Sequence, residues 1–272
     1  MENVAEGKKL SLIQNLVGTL GENIMGGIGE VGELSTFFFS SMAWLVRPPF
    51  RIGEIFDQIE FVGNKSVFII FLSSLFTGMV FALQTYHAFH MLSSETLIGP
   101  TVALALAREL GPVLTGIIVA GRAGAAMSAQ IGTMRVTEQI DALEVMGINP
   151  KQYLVGPRIV ACVLAMPLLT AVFVFIGNLG SYYLSTHMLN IDSATYLAKI
   201  NAFAEPVDIV QGLIKASFFG LIFSLIGTYK GYNTTNGARG VGIATNETVV
   251  LSSILILVSD YFLSAILKKV LY

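Results

Sequence analysis

Along this chain, long apolar runs alternate with short polar breaks. Ser66 to Ser94 contains no Asp, Glu, Lys or Arg. Crossing a hydrocarbon core of ~30 Å takes about 20 apolar residues, so this run is the first predicted span, over about 66–94. Thr101 to Thr133 makes a second, although it carries Arg108, Glu109 and Arg122 and is interrupted by Gly111-Pro112. A proline inside a helix removes a backbone donor, so a kink is expected there, with Pro112 to Thr133 as the spanning part. Ile159 to Ile191 is again free of formal charge, giving a third span over about 159–189 with Pro167 inside it. Asp192 to Glu205 is polar enough to lie outside. Further spans are expected over 207–229, with Asp208 and Lys215, and over 248–267, with Asp260. Gly231 to Asn246 reads as a glycine-rich polar loop between them.

Upstream of the first span the pattern changes. Ile13, Val17, Leu20, Ile24, Ile28 and Val31 recur at helical spacing among polar residues and glycines. Leu34 to Val46 is uncharged but too short to cross, and Arg47-Pro48-Pro49 stops it. Leu10 to Phe50 is therefore expected to form helices lying in the membrane interface. A full span from Leu34 to Ile52 is the alternative, and it would invert everything downstream. Met1 to Lys9 leads into no signal-type apolar core, so the N-terminus is read as retained.

Composition agrees. Among 272 residues, 54% are hydrophobic and 12% charged, against about 25% charged in a soluble domain. The mean hydropathy is +0.71. This excludes a soluble enzyme and a disordered chain, and one cysteine, Cys162, excludes a disulfide scaffold. A net charge of -2 gives no sign of nucleic acid. The fold class is all-α and polytopic, with five spans.

Orientation follows from loop Lys and Arg. Arg135, Lys151 and Arg158 lie between spans two and three, and Lys230 and Arg239 between spans four and five. The opposite loops hold only Lys199. The basic loops and the N-terminus are thus expected inside. Lys268 and Lys269 then stand on the wrong side for this rule.

Four constellations could carry function. Gly116, Ala120, Gly124, Ser128 and Gly132 place small residues at every fourth position of the second span, which lets helix backbones approach in lipid. Packing within the chain and packing between two copies are both open. Thr137 to Gly147 reads as a short helix between spans, with Thr137 as its cap and Gly147 as its end. It carries an apolar face of Val136, Ile140, Leu143 and Met146 and an acidic stripe of Glu138, Asp141 and Glu144. Such a helix suits docking on a soluble partner, since an anionic leaflet would repel the stripe. Arg108-Glu109 is a costly pair at membrane depth, serving either function or structural ion pairing. Phe81, Ala88, Phe89 and Leu92 form one apolar side of the first span, facing lipid, the protein or a substrate. No metal-ligand spacing involves His87, His90 or His187, no nucleophile–base pair is evident, and Gly237 to Gly242 lacks a nucleotide-binding pattern. Neither cofactor, metal nor catalysis is expected of the chain.

Arg108-Glu109-Leu110-Gly111-Pro112, Ala120-Gly121-Arg122-Ala123-Gly124, Gly132-Thr133-Met134 and Thr137 to Gly147 together resemble the MlaE family of ABC permeases, as do Gly237-Ala238, Gly240 to Thr245 and Asp260. The resemblance implies an interfacial N-terminal region, 1–55, and a permease domain, 56–272. It implies a homodimeric inner-membrane subunit of a phospholipid transporter, powered by a separate cytoplasmic ATPase and facing a periplasmic MCE-domain protein. Thr137 to Gly147 would be the coupling helix, with Glu138, Ile140, Asp141, Leu143, Glu144, Met146 and Gly147 toward the ATPase. Arg108, Glu109 and the Phe81, Ala88, Phe89, Leu92 face would line a lipid cavity. An ion or proton channel using Arg108, Glu109 and Asp260, and a scaffold that only anchors the MCE protein, are the competing functions; an inverted-repeat secondary transporter lacks the internal repeat.

Overall fold

The computed structural model describes residues 29, 32–44 and 52–271. The amphipathic stretch from Ile13, Gly29 apart, and the Arg47-Pro48-Pro49 stop lie outside the described residues. Among those described, the regular structure is entirely helical: α1 (32–44), α2 (Ile52–His90), α3 (Glu95–Val136), α4 (Gln139–Val145), α5 (Lys151–His187), α6 (Ser193–Phe203), α7 (Pro206–Tyr232) and α8 (Gly237–Leu271). Five of these, α2, α3, α5, α7 and α8, are long and apolar enough to cross a membrane. The protein is a multi-pass membrane protein. Its lipid-facing surface is a band of exposed apolar side chains, including Phe68 and Phe76 on α2, Leu168 and Phe175 on α5, and Leu257 and Phe262 on α8. In water such a band would promote association.

Several helices exceed the expected spans. α2 has 39 residues and α3 has 42, about 58 and 63 Å at 1.5 Å per residue. Each therefore projects well past a ~30 Å core. Residues 52–55, assigned to the N-terminal region from sequence, are the first turn of α2. The predicted polar loop over 231–246 is mostly helix: the chain turns at Asn236 (φ 65°) and Gly237 (φ 63°), and α8 starts there.

Glycine sets the seams. A Cβ on Gly78 of α2 would lie 1.9 Å from the Gly177 carbonyl oxygen of α5, and one on Gly212 of α7 would lie 2.1 Å from that of Ala107 on α3. The small-residue row of α3 faces the same interior. A Cβ on Gly116 would meet Ile256 and Phe219 at 3.4 Å, and one on Gly124 would meet Phe223 at 3.4 Å and Thr248 at 3.7 Å. Ala120 and Ser128 are fully buried, and a Cβ on Gly132 would meet Thr234 at 3.0 Å. This row packs α3 against α7 and α8 within one chain. The adjacent position Gly121 is the outward one, with nothing within 4 Å of its added Cβ.

The two ends of the bundle differ. At one end α1 lies on α5 and α7, with Phe37 buried against Val155, Ile159, Leu225 and Tyr229, and the Tyr229 hydroxyl donating to Glu33 at 2.8 Å. α4 lies at this same end. At the other end, His90 Nδ1 meets the Glu95 carboxylate and ties α2 to α3. There α6 is pinned by Tyr196, whose hydroxyl shares a 2.9 Å hydrogen bond with Ser181. Asp192 caps α6, accepting from the Thr195 N–H at 2.8 Å and hydroxyl at 2.7 Å. Those donors hold its carboxyl below the usual carboxylate range.

Candidate functional site

α3 runs without a break through Gly111-Pro112. A π-helical turn over Leu106–Leu110 directly precedes Gly111-Pro112. Pro112 has no N–H for the carbonyl one α-turn back, that of Arg108. Lys215 of α7 supplies the donor instead, its Nζ 2.9 Å from the Arg108 oxygen. A second π turn, Ala120–Gly124, carries Arg122. Its guanidinium donates to the Val62 and Phe61 carbonyls of α2 at 3.1 and 3.0 Å and to Ser66 Oγ at 2.7 Å. Such turns recur at functional sites, and here both hold the span's ionisable side chains.

Arg108 and Glu109 do not pair with each other. Arg108 turns to Asp208, NH2 to Oδ1 at 2.6 Å and Nε to Oδ1 at 2.7 Å. Asp208 is 1% exposed and also accepts the Glu205 N–H at 2.9 Å, completing a capping box on α7. Glu109 turns to Lys215, at 2.5 Å. Lys215 is fully buried and also pairs with Asp260 of α8 at 3.0 Å, while Ser264 bridges Lys215 at 2.6 Å and Glu109 at 3.1 Å. Desolvating an ammonium is tolerable only with such full coordination. α3, α7 and α8 are thus locked by one polar cluster. Beside it lies a cavity of ≈ 380 Å³ lined by Arg108, Glu109, Gln211, Ser264 and Lys268.

Lys215, Asp208 and Ser264 were not among the predicted site residues. The signal was present: Asp208 and Lys215 are seven apart and so share a helix face, opposite the adjacent acid and base of α3. Of the other predicted residues, none of Phe81, Ala88, Phe89 and Leu92 lines this cavity. Phe81 and Phe89 pack against the core, and Leu92 is exposed. A single chain does not bring that face and Glu109 into one chamber.

At the other end, α4 is shorter than predicted. Thr137 does not cap it; its hydroxyl donates back to the Thr133 carbonyl at 2.8 Å, and Glu138 occupies the cap position at φ 58°. Gly147, at φ 75°, closes the helix: its N–H bonds the Glu144 carbonyl and that of Ile148 bonds Leu143, both at 2.9 Å. Only the middle of the apolar face is covered. Ile140 is buried with Ile131 and Leu154, and Leu143 packs against them. Val136 is partly open at its edge, while Val145 and Met146 are exposed beside Glu138, Asp141 and Glu144. Asp141 is held by Arg135 at 2.6 Å.

The family model described as "Permease MlaE" matches residues 55–266. The chain belongs to the MlaE permease family. A probable ABC transporter permease protein of Rickettsia felis is 41% identical over 95% of this chain and 100% of its own length. The intermembrane phospholipid transport system permease protein MlaE of Haemophilus influenzae is 36% identical over 94% of this chain and 98% of its own. The chloroplastic protein TRIGALACTOSYLDIACYLGLYCEROL 1 of Arabidopsis thaliana is 41% identical over 77% of this chain and 60% of its own. Both the charged cluster up to Ser264 and α4 fall inside the MlaE match.

Proposed function

We propose that this MlaE-family chain is the membrane subunit of an ABC transporter that carries phospholipid between its own membrane and a partner protein beyond it. The observation that carries the reading is the end-to-end likeness to the H. influenzae relative, whose name gives intermembrane phospholipid transport. The reading places the chain in the inner membrane of a two-membrane envelope, as a homodimer, with its N-terminus and α4 in the cytoplasm. A separate ATPase subunit meets α4, and an MCE-domain protein meets the α6 end.

The charges support this orientation: Arg135, Lys151, Lys230 and Arg239 gather at the α4 end. Lys268, at the other end, lines the cavity beside Glu109, so site chemistry gives it a reason to stand there. The mechanism follows from solvation. Each acyl CH₂ exposed to water costs about 0.8 kcal/mol, so the tails need an apolar wall along their path. Phe81, Ala88, Phe89 and Leu92 offer one, with a second copy completing the chamber, while Arg108, Glu109 and Lys268 meet the headgroup. Nucleotide-driven motion of the ATPase reaches α3 and α5 through α4, because Ile140 is anchored on both. A channel fits less well: toward the α4 end, the cluster gives way to Ala216, Phe219 and Phe223, all fully buried.

The test is reversal of the α4 stripe. Glu138 and Glu144 are exposed, and among the described residues Glu144 is held by no more than a 3.4 Å contact from the Tyr232 hydroxyl. Glu138→Lys with Glu144→Lys is therefore expected to leave the subunit in the membrane at normal yield while most of the ATPase is lost on co-purification. Retained ATPase, with hydrolysis still responding to phospholipid, would show the stripe to be a solvated face.

A further inference from the structure

A second cationic site stands apart from the charged cluster, where α3 meets α2. Arg122 lies 14 positions along α3 from Arg108, about 21 Å at 1.5 Å per residue. A guanidinium has five N–H donors, and here three serve α2. Nη1 reaches the Val62 carbonyl at 3.1 Å and Ser66 Oγ at 2.7 Å, and Nη2 reaches the Phe61 carbonyl at 3.0 Å. Those acceptors are neutral, so the positive charge is held in place without being cancelled. Nε has no hydrogen-bond partner among the described residues, and it is not buried. Lys65 is exposed and comes to the same spot. Its Nζ lies 5.4 Å from the centre of the Phe61 ring, and the Arg122 guanidinium carbon lies 5.2 Å from it. Among the described residues neither cation is in an ion pair; Asp57 and Glu60, the nearest acids along α2, precede both and pair with neither.

Depth decides what can meet these charges. Lys65 closes the polar stretch of α2, and the exposed side chains that follow, Val67, Phe68 and Ile69, are apolar, with Phe68 72% exposed. Tyr86 stands 21 residues beyond Lys65, about 31 Å along the helix, stacked with His90 at 5.1 Å. A hydrocarbon core is ~30 Å thick, and tyrosines gather at its borders. Lys65 therefore stands at the border of the α4-side leaflet, directly beside the acyl chains. Gly121, next to Arg122, is exposed, and an added Cβ there would meet nothing within 4 Å, so no side chain from that position shields the guanidinium. Two uncancelled cations at this level suit a headgroup that brings a net negative charge. A zwitterionic headgroup brings its own ammonium, which both cations repel.

We infer that Arg122 and Lys65 bind the headgroup of an anionic phospholipid in the α4-side leaflet, fixing one lipid on the seam between α2 and α3. The site goes beyond the transport reading and stands without it: it lies outside the cavity beside Glu109, and binding is measured on the isolated full-length chain. The chain in detergent is titrated with phosphatidylglycerol and with phosphatidylcholine of matched acyl chains, and each affinity is read from the rise in unfolding temperature. Phosphatidylglycerol is expected to bind about tenfold more tightly, the equivalent of one charge-assisted hydrogen bond. Lys65→Gln should remove most of that preference, and Arg122→Gln all of it. Lys199→Gln, the same charge change at the α6 end, should leave it intact. Inorganic phosphate should not displace the lipid. Equal affinity for the two lipids, an unchanged preference in Lys65→Gln, an equal loss in Lys199→Gln, or displacement by inorganic phosphate would each overturn the site. Arg122 also ties α3 to α2, so should Arg122→Gln fail to fold, the lipid ranking and the two lysine variants still decide.

Discussion

Gly78→Ala is expected to prevent accumulation of the folded subunit, although it adds a single methyl group. That methyl would sit 1.9 Å from the Gly177 carbonyl oxygen, 2.6 Å from its carbon and 2.9 Å from its Cα. Overpacking typically costs about 1–3 kcal/mol when side chains can yield. Here the neighbour is backbone on both sides, so α2 must move off α5 along their whole seam. Gly124→Ala is the control. Its methyl would meet Phe223 at 3.4 Å and Thr248 at 3.7 Å, ordinary contacts that leave folding near wild type. Monodisperse yield and unfolding temperature in detergent compare the two. Equal stability of both variants would mean that α2 and α5 do not touch as described.

Lys215→Met should be nearly as damaging. It strands the Arg108 carbonyl that Pro112 cannot serve, and it leaves Glu109 and Asp260 without their shared cation. Breaking a buried pair in this way costs about 3–5 kcal/mol. Glu109→Gln is expected to be mild, because the Glu109 side chain is 45% exposed and the amide oxygen still accepts from Lys215. The triple change Lys215→Met, Glu109→Gln and Asp260→Asn removes the stranded charges together, and folding should largely recover. Thermal unfolding of the three variants measures this. A wild-type unfolding temperature for Lys215→Met alone would show that the cluster locks nothing. If the triple variant folds yet delivers no lipid, the cluster has a role beyond the lock.

The spans were legible because lipid makes a coarse demand: long apolar runs, some carrying a charge or two, became α2, α3, α5, α7 and α8 in order. Their ends were not, because a helix continues past the hydrocarbon wherever its backbone bonds are satisfied. α8 thus starts at Gly237, where glycines and an asparagine had signalled a loop. The break at Gly111-Pro112 was misread for a related reason. A proline's cost depends on who serves the orphaned carbonyl, and that donor, Lys215, lies 107 residues away in sequence. Ionisable residues at depth stood out in the sequence, but adjacency made Arg108 and Glu109 look like partners. Neighbouring positions on a helix point about 100° apart, and each found its counter-charge on α7. On α4, the amphipathic pattern was legible but its covered part was not: Ile140 and Leu143, read together with the acids as facing a partner, pack against the protein's own interior, which leaves the acids and Met146 on the surface.

Phospholipid movement coupled to ATP is the central claim, and reconstitution tests it most directly. The subunit, its ATPase and an MCE-domain partner are placed in liposomes containing labelled phospholipid, and label reaching the soluble domain of the partner is followed on adding ATP. The account predicts transfer that requires ATP and is lost with Glu138→Lys plus Glu144→Lys. Ion flux without lipid transfer, or transfer that proceeds equally without ATP, would contradict it.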